Sequence, residues 1–465
     1  MEDEINGLLR KRVKSKNAAN LFMFLVSIAG VTAVIIDKRE VSKTEFAGIL
    51  IIVTACFVVL YQFLLHFRRE VLQVLRKTFF ILLAITVFLL LTKVVTGMPG
   101  ENLILLVPVA IIPVIIRTFY DARLALFILL VTIMMDCLLV PDTFEFILMN
   151  FVSGMVAIFT LTNLYRRAKL LFTALMVSVS YAAIYLGICL VQDNALPSHL
   201  WHDLLLIAIN GLLVLVSYPL ILIFEQRFLL LSDTTLLELA DTNQPLLRKL
   251  AVEAPGSFQH SLQVANLAEE AARIIGANVL MVRTGALYHD IGKIANPMYY
   301  IENQPDGESP HEKLDPRDSA RVIINHVRNG VVLAKNYKIP VQIIDFIRTH
   351  HGTTVAYFFY KKFIDKYPEM TNMEKEFAYP GPKPFSKETA VVMMADAVEA
   401  SSRSLDKYTE ESINDLVERI IYIQEQDGQY SDVPLTYKDI SDIKDVFKKR
   451  LLNIYHVRIA YPERV

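Results

Sequence analysis

The chain has 465 residues, 54% of them hydrophobic, and a formal net charge of -1. So balanced a charge argues against a surface built to grip a nucleic-acid polymer, although a small anion can still be held locally. Almost every long apolar run lies before residue 232, which excludes one uniform water-soluble fold and separates a membrane-embedded first half from a polar second half.

Taken in chain order, eight apolar segments approach the roughly 20 residues that cross a bilayer's hydrocarbon core. They lie near 19–36, 45–66, 78–96, 103–116, 124–140, 145–163, 170–191 and 204–224, within a transmembrane region assigned to residues 1–224. The fourth carries Pro108 and Pro113 and has the least sharply marked limits. The basic stretches RKRVKSK, FRREVLQVLRK, RTFYDAR and YRRAK all fall on one side of the spans, whereas the opposite loops GMPGEN, PDT and QDNALPSHLWHD carry no Lys or Arg. Only DKREVSK, at 37–43, breaks the segregation. Because Lys and Arg mark the cytoplasmic side, both termini are expected there. The first segment is longer than a signal-peptide core and no small-residue cleavage site follows it, so it reads as a span. Cys56, Cys137 and Cys189 all fall in spans and read as packing residues, not as a disulfide framework. Asp136 is a functional candidate by its membrane position. With Pro141 close behind, it is read here as reaching the outer interface.

Residues 225–254 carry paired leucines at helical spacing, FLLLSDTTLLELADTNQPLLRKL. This predicts a connecting helix or two short ones, which can stay solvated, dock on the membrane bundle or join a second copy as a homodimer. From 255 to 465 the start and stop signals are helical. Ser257 can cap a helix ending at Gly276, and a second runs into LYHDIGKI and stops by Gly292. Asp315-Pro316 opens a third, Pro340 a fourth that ends at His350-His351-Gly352, and Ser386 caps a fifth through Arg403. There is no Gly-rich phosphate loop and no alternating strand pattern, so the expected class is all-α: a polytopic helix bundle followed by a helical domain. Residues 353–385 form an aromatic and basic insertion, YFFYKKF then YPGPKP.

Of ten histidines, six lie between His260 and His351. Five helices in turn supply His260, the pair His289-Asp290, His326, the pair His350-His351, and Asp396. Imidazole with carboxylate suits Zn, Mn, Fe or Ni, and the lack of a nearby cysteine disfavours a thiolate zinc site. Seven ligands exceed what one ion takes, so two ions sharing a carboxylate are the economical solution. His66, His199, His202, His311 and His456 read as ordinary surface or core residues. Composition and spacing stop at metal-dependent phosphoester hydrolysis.

The order H, HD, H, HH, D resembles the HD-domain phosphohydrolases. The stretches EAPGSFQHS, LYHDIGKI, DPRDSARVIINHV, IRTHHGT, YPGPKPFSKETAVVMMADAVEASSRSL and LLNIYHVRIAYP, together with the membrane half, are similar to the seven-transmembrane-receptor HD family of PgpH type over nearly the whole chain. Members usually carry a large extracytoplasmic domain after the first span, whereas here only the 37–43 loop stands in that place. A natural short form and removal of the domain both remain open. The resemblance implies a multi-pass protein of the bacterial cell membrane whose cytoplasmic HD domain, residues 255–465, hydrolyses cyclic di-AMP to linear pApA with two divalent ions, Mn or Fe. It implies that His260, His289, Asp290 and Asp396 hold one ion and Asp290, His326, His350 and His351 the other, with Asp290 bridging and a metal-bridging hydroxide as nucleophile. Lys293, in the HDxxK pattern, would meet a non-bridging phosphate oxygen. Tyr357, Phe358, Tyr360 and Tyr379 are candidate stacking faces for a purine. The alternatives are a cyclic di-GMP phosphodiesterase, whose GYP motif has GTT in its place here, and a nucleotide-binding membrane receptor without turnover.

Overall fold

The computed structural model of the protein describes residues 2–161, 167–192, 197–304, 309–370 and 373–455; side chains are described from residue 17 onward, Arg167 excepted. The chain divides into two compact units, Met1–Thr234 and Thr235–Val465. Among the described residues there is no strand beyond one isolated antiparallel bridge, Val355 with Ala378.

In the first unit six helices are long and apolar enough to cross a membrane: Asn17–Ile36, Lys43–Phe67, Leu75–Thr96, Thr143–Thr160, Ala168–Gln192 and Leu200–Phe228. The other two expected segments form shorter elements. Pro108 splits the fourth into a 3-10 turn, Leu103–Leu106, and a helix, Ile111–Phe119. At 1.5 Å per residue this helix is only about 14 Å long, against the roughly 30 Å of a bilayer core. The fifth, Ala122–Asp136, rises about 22 Å on the same measure. The proline break leaves backbone carbonyls that lipid cannot satisfy. Asn210, from the last long helix, donates its amide to Leu105 O at 2.7 Å and Val107 O at 2.9 Å and closes that gap.

Asp136 is not exposed at the end of its helix, in contrast to the expectation. Its side chain is fully buried and neither carboxylate oxygen has a hydrogen-bond partner. Leu139 and Val140, just beyond the end of its helix, are buried as well. All three cysteines are free.

The connecting stretch is interrupted. A helix ends at Phe228, Leu229 takes a left-handed conformation (φ 54°), and short helices follow at Asp233–Leu239 and Pro245–Glu253. The helices that carry the ligand-type residues are Pro255–Ile274, Val279–Tyr288, Pro316–Asn336, Val341–Thr349 and Lys387–Ser402. Two starts are as expected. Asp315 accepts from the Arg317 amide at 3.0 Å, and Ser386 closes a capping box with Thr389. The first helix instead begins at Pro255, with the proline at its first turn, and Ser257 becomes an interior residue of that helix. Pro255–Ile274 packs along both Val279–Tyr288 and Lys387–Ser402, so the His260 helix lies centrally. Gly292 lets the turn at Ile291–Ala295 approach Pro316–Asn336 closely, since a Cβ there would run into the His326 carbonyl and the Gly330 amide. The insertion packs Phe363 and Phe377 against Ala320 of the helix Pro316–Asn336 in a small separate core. The LLNIYHVRIAYP stretch lies outside the described residues from His456 onward.

Candidate metal centre

The docking of these helices gathers all seven ligand-type residues. His260 Nε2 lies 2.9 Å from Asp396 Oδ1 and 3.6 Å from Asp290 Oδ2. His289 Nε2 lies 3.3 Å from Asp290 Oδ2 and 3.6 Å from Asp396 Oδ1. On the other side, Asp290 Oδ1 is 3.4 Å from His326 Nε2 and 3.6 Å from His350 Nε2. His351 Nδ1 is 3.7 Å from Asp396 Oδ2. Three sets of potential ligand atoms each fall within 4.8 Å: His260, His289 and Asp396; His289, Asp290 and His350; His326, His350 and His351. Asp290 thus presents one oxygen to each half of the cluster. His350 and His351 are brought in together because the helix ends at Thr349 and Gly352 (φ 52°) turns the chain, so neighbouring side chains need not diverge as they would along a helix.

The rings are oriented from behind. His289, His326 and His350 each donate Nδ1–H to a carbonyl in the preceding turn: Ala286 O at 2.6 Å, Ile323 O at 2.6 Å and Ile347 O at 3.0 Å. In the neutral ring that fixes the tautomer and leaves the lone pair on Nε2, facing the cluster. The Nε2 atoms of His326 and His350 are only 3.0 Å apart. Neither His289 Nε2 nor Asp290 Oδ1, both buried, receives a hydrogen bond, and Asp290 Oδ2 is met by the Lys293 ammonium. Unsatisfied buried groups cost about 1–3 kcal/mol each, and facing lone pairs repel. A cation relieves both, so the nitrogen and oxygen donors fit divalent ions of the Mn, Fe or Zn kind.

Electrostatics agree with that fit. Burial alone would push the Asp290 carboxyl up, but Lys293 and His289 hold it well below the usual range. Asp396 is held down likewise by His260 and His289 against the effect of burial. Burial keeps His326 and His350 below the ordinary imidazole value and takes His351 to about 3, so these rings are neutral donors at pH 7. Burial would lower His289 too, but Asp290 and Asp396 raise it to about 10.

Lys293 places its ammonium 2.7 Å from Asp290 and 2.8 Å from Glu302, and these carboxylates outweigh burial to raise its pKa. Glu302 in turn accepts from Ser257 Oγ at 2.8 Å, and Ser257 accepts from Asn303 at 2.8 Å. Beside the cluster opens a cavity of about 570 Å³. Lys293, Glu302 and Arg403 line it together with His260, His350, His351 and Asp396, against an apolar wall of Met393, Ala397, Ala400, Ile420 and Ile423.

None of the tyrosines expected to stack a purine lines this cavity. Tyr357 is 66% exposed, Tyr360 packs against Phe377, and buried Tyr379 stacks on His351 with ring centres 4.1 Å apart. Tyr379 therefore steadies a ligand-type ring, and Tyr360 serves packing. Sequence reasoning missed Glu302, Glu399 and Arg403. For Glu399 a signal existed, since it lies three residues after Asp396 on one helix and so shares its face. For Glu302 none did, because it arrives across a chain of short turns.

Apolar helices of spanning length, followed by a helical domain with a His/Asp cluster of HD type, define a multi-pass membrane protein with an HD hydrolase domain. The family model for the 7TM receptor with intracellular HD hydrolase matches residues 44–232, and that for the HD domain matches 257–401. The apolar half and the helical domain of the chain thus match this family's two models. It is 34% identical over 456 residues to the cyclic-di-AMP phosphodiesterase PgpH of Bacillus subtilis, covering 92% of this chain and 63% of that one. To PgpH of Listeria monocytogenes it is 35% identical over 371 residues, 78% of this chain and 51% of that one. The crystal structure of the L. monocytogenes PgpH HD domain in complex with cyclic-di-AMP aligns at 41% identity and a TM-score of 0.45, over 46% of this chain and 100% of that chain. The chain thus spans only about half to two-thirds of the length of these curated relatives.

Proposed function

We propose that this chain is a membrane-bound, divalent-metal-dependent phosphodiesterase that opens cyclic di-AMP to linear pApA, with residues 255–465 as its cytoplasmic HD phosphohydrolase domain. The observation that carries the reading is Asp290, a buried carboxylate with one oxygen toward each group of histidines, beside a cavity of dinucleotide scale. In this reading His260, His289, Asp290 and Asp396 hold one ion and Asp290, His326, His350 and His351 the other. When bound, two divalent ions supply Lewis acidity, acidifying water and neutralising phosphate charge.

The chain's own residues do the rest. Asp290 ties the two halves of the donor set together. Lys293 has three N–H donors and commits two to Asp290 and Glu302, which leaves one for a non-bridging phosphate oxygen. A preorganised cation of this kind stabilises charge that builds in the transition state. The apolar wall from Met393 to Ile423 excludes water and offers a face for a purine. The choice of base is supported by the names of the two PgpH relatives. Its physical basis is that adenine presents an amino donor where guanine presents a carbonyl acceptor, a mismatch worth about 1–3 kcal/mol per buried group.

The test is competition on the full chain in detergent with Mn2+, cyclic di-AMP and cyclic di-GMP being present at equal concentration and the linear products separated. Preferential formation of pApA is expected. A preference for pGpG would overturn the substrate, and no product from either with metal bound would favour a receptor without turnover. The cytoplasmic placement rests on the segregation of Lys and Arg. Impermeant thiol labelling of intact cells should reach a cysteine placed at Ser198 and not one at Ser309, and labelling at Ser309 would sink that topology.

A further inference from the structure

Among the buried imidazoles, His260 is held differently from the others. His289, His326 and His350 lean on neutral backbone carbonyls, whereas His260 Nδ1 hydrogen-bonds the Glu399 carboxylate. Glu399 is itself buried and is gripped by Arg403, whose Nε and Nη2 donate to its Oε1 at 2.9 and 2.6 Å. The arrangement follows from one helix. Asp396, Glu399 and Arg403 lie at i, i+3 and i+7 of the segment that packs on the His260 helix, so the first two straddle the imidazole and meet its two nitrogens separately.

We propose that Glu399 and Arg403 are a positioning pair that makes His260 the strongest imidazole donor of the cluster and so sets the affinity of one of its two metal positions; this rests on the metal reading above. A carboxylate on Nδ1–H draws that proton toward itself and raises electron density at Nε2 beyond what a carbonyl achieves. It also locks the tautomer, because the ionised carboxylate can only accept. Arg403 serves two ends. It neutralises a carboxylate that would otherwise be buried with only an imidazole for company, and it holds Oε1 so that Oε2 stays on His260. Since Arg403 also lines the cavity, the same side chain that steadies the metal side faces arriving substrate. Glu399 touches neither substrate nor ion and acts only through His260.

The experiment is Mn2+ equilibrium dialysis on the full chain in detergent, for wild type, Glu399→Gln, Arg403→Gln and Arg403→Lys, each paired with the melting temperature of the metal-free protein. Glu399→Gln keeps shape and removes charge. It is expected to weaken one Mn2+ site about 10- to 100-fold, the loss typical when the partner of a ligating histidine is changed. The second site and the metal-free melting temperature should stay near wild type. Arg403→Gln should give a smaller loss that Arg403→Lys partly restores. Unchanged affinity at both sites in Glu399→Gln would overturn the proposal alone, as would equal weakening of both sites with a lowered metal-free melting temperature, the mark of a purely structural role. If wild type takes up no Mn2+, the metal reading beneath it falls as well.

Discussion

Replacing Asp290 with asparagine tests the centre at its narrowest point. The substitution keeps the shape of the side chain but removes a charge shared by four imidazoles, with Oδ2 3.3 Å from His289 and 3.6 Å from His260, and Oδ1 3.4 Å from His326 and 3.6 Å from His350. Because each oxygen serves a different half of the donor set, losing one carboxylate weakens both metal positions. Bound metal should therefore fall below one ion per chain, where His326→Ala, on one half only, should retain about one. Protonation of His289 does not explain such a loss, since without Asp290 its ring drops from about 10 toward the ordinary value and competes less with metal. The rate should fall at least about 10³-fold in kcat/KM, close to 4 kcal/mol at 1.36 kcal/mol per decade. In the metal-free protein Lys293 keeps Glu302 at 2.8 Å, so the stability cost should sit at or below the low end of the roughly 3–5 kcal/mol of a broken buried pair. Elemental analysis of purified protein and initial rates at saturating Mn2+ decide the matter. Two ions retained with a rate within tenfold of wild type would refute the bridging role.

Lys293→Met should lower kcat about 10²-fold or more, as for loss of one preorganised charge donor, with metal content unchanged; loss of the metal instead would make Lys293 a support for Asp290 and not a substrate contact. Metal uptake at pH 7 should release protons. His289 is raised to about 10 in the metal-free state, by Asp290 and Asp396 against burial, so it must shed a proton to donate from Nε2; His260 is raised as well, by Asp396 and Glu399 against burial, whereas His326, His350 and His351 are already neutral. Affinity should then rise with pH up to about 10 and weaken as pH falls, and a heat of Mn2+ binding that does not depend on the buffer's ionisation enthalpy would contradict it. Gly292→Ala should destabilise the second unit by about 1–3 kcal/mol, the usual overpacking cost, because its Cβ meets backbone of the His326 helix. An unchanged melting temperature would show that the turn can move aside.

What could be read from the sequence alone was whatever depends on neighbours in the chain. Apolar run length marked six helices of spanning length, and Asp315 and Ser386 announced helix starts because a cap is a contact over two or three residues. The order of the seven ligand-type residues was likewise legible, since they fall on or at the ends of five helices, each with its own signals. Local rules failed where a local signal competed with packing. Pro108 shortened an apolar run that length alone suggested could span, and Asp136, placed by Pro141 at an interface, is instead fully buried. The tyrosines of the insertion had the right chemistry for a purine, but Tyr360 packs into a separate core with Phe363 and Phe377, Tyr379 stacks on His351, and only the fold shows that none of them lines the cavity. Tertiary structure alone decided the partners of the site: Glu302 and Ser257 meet at Lys293 from 45 residues apart, and Glu399 reaches His260 across 139. A side chain's ionisation and aim are set by what is docked against it, and no pattern of neighbours encodes a docking made by two helices that distant in the chain.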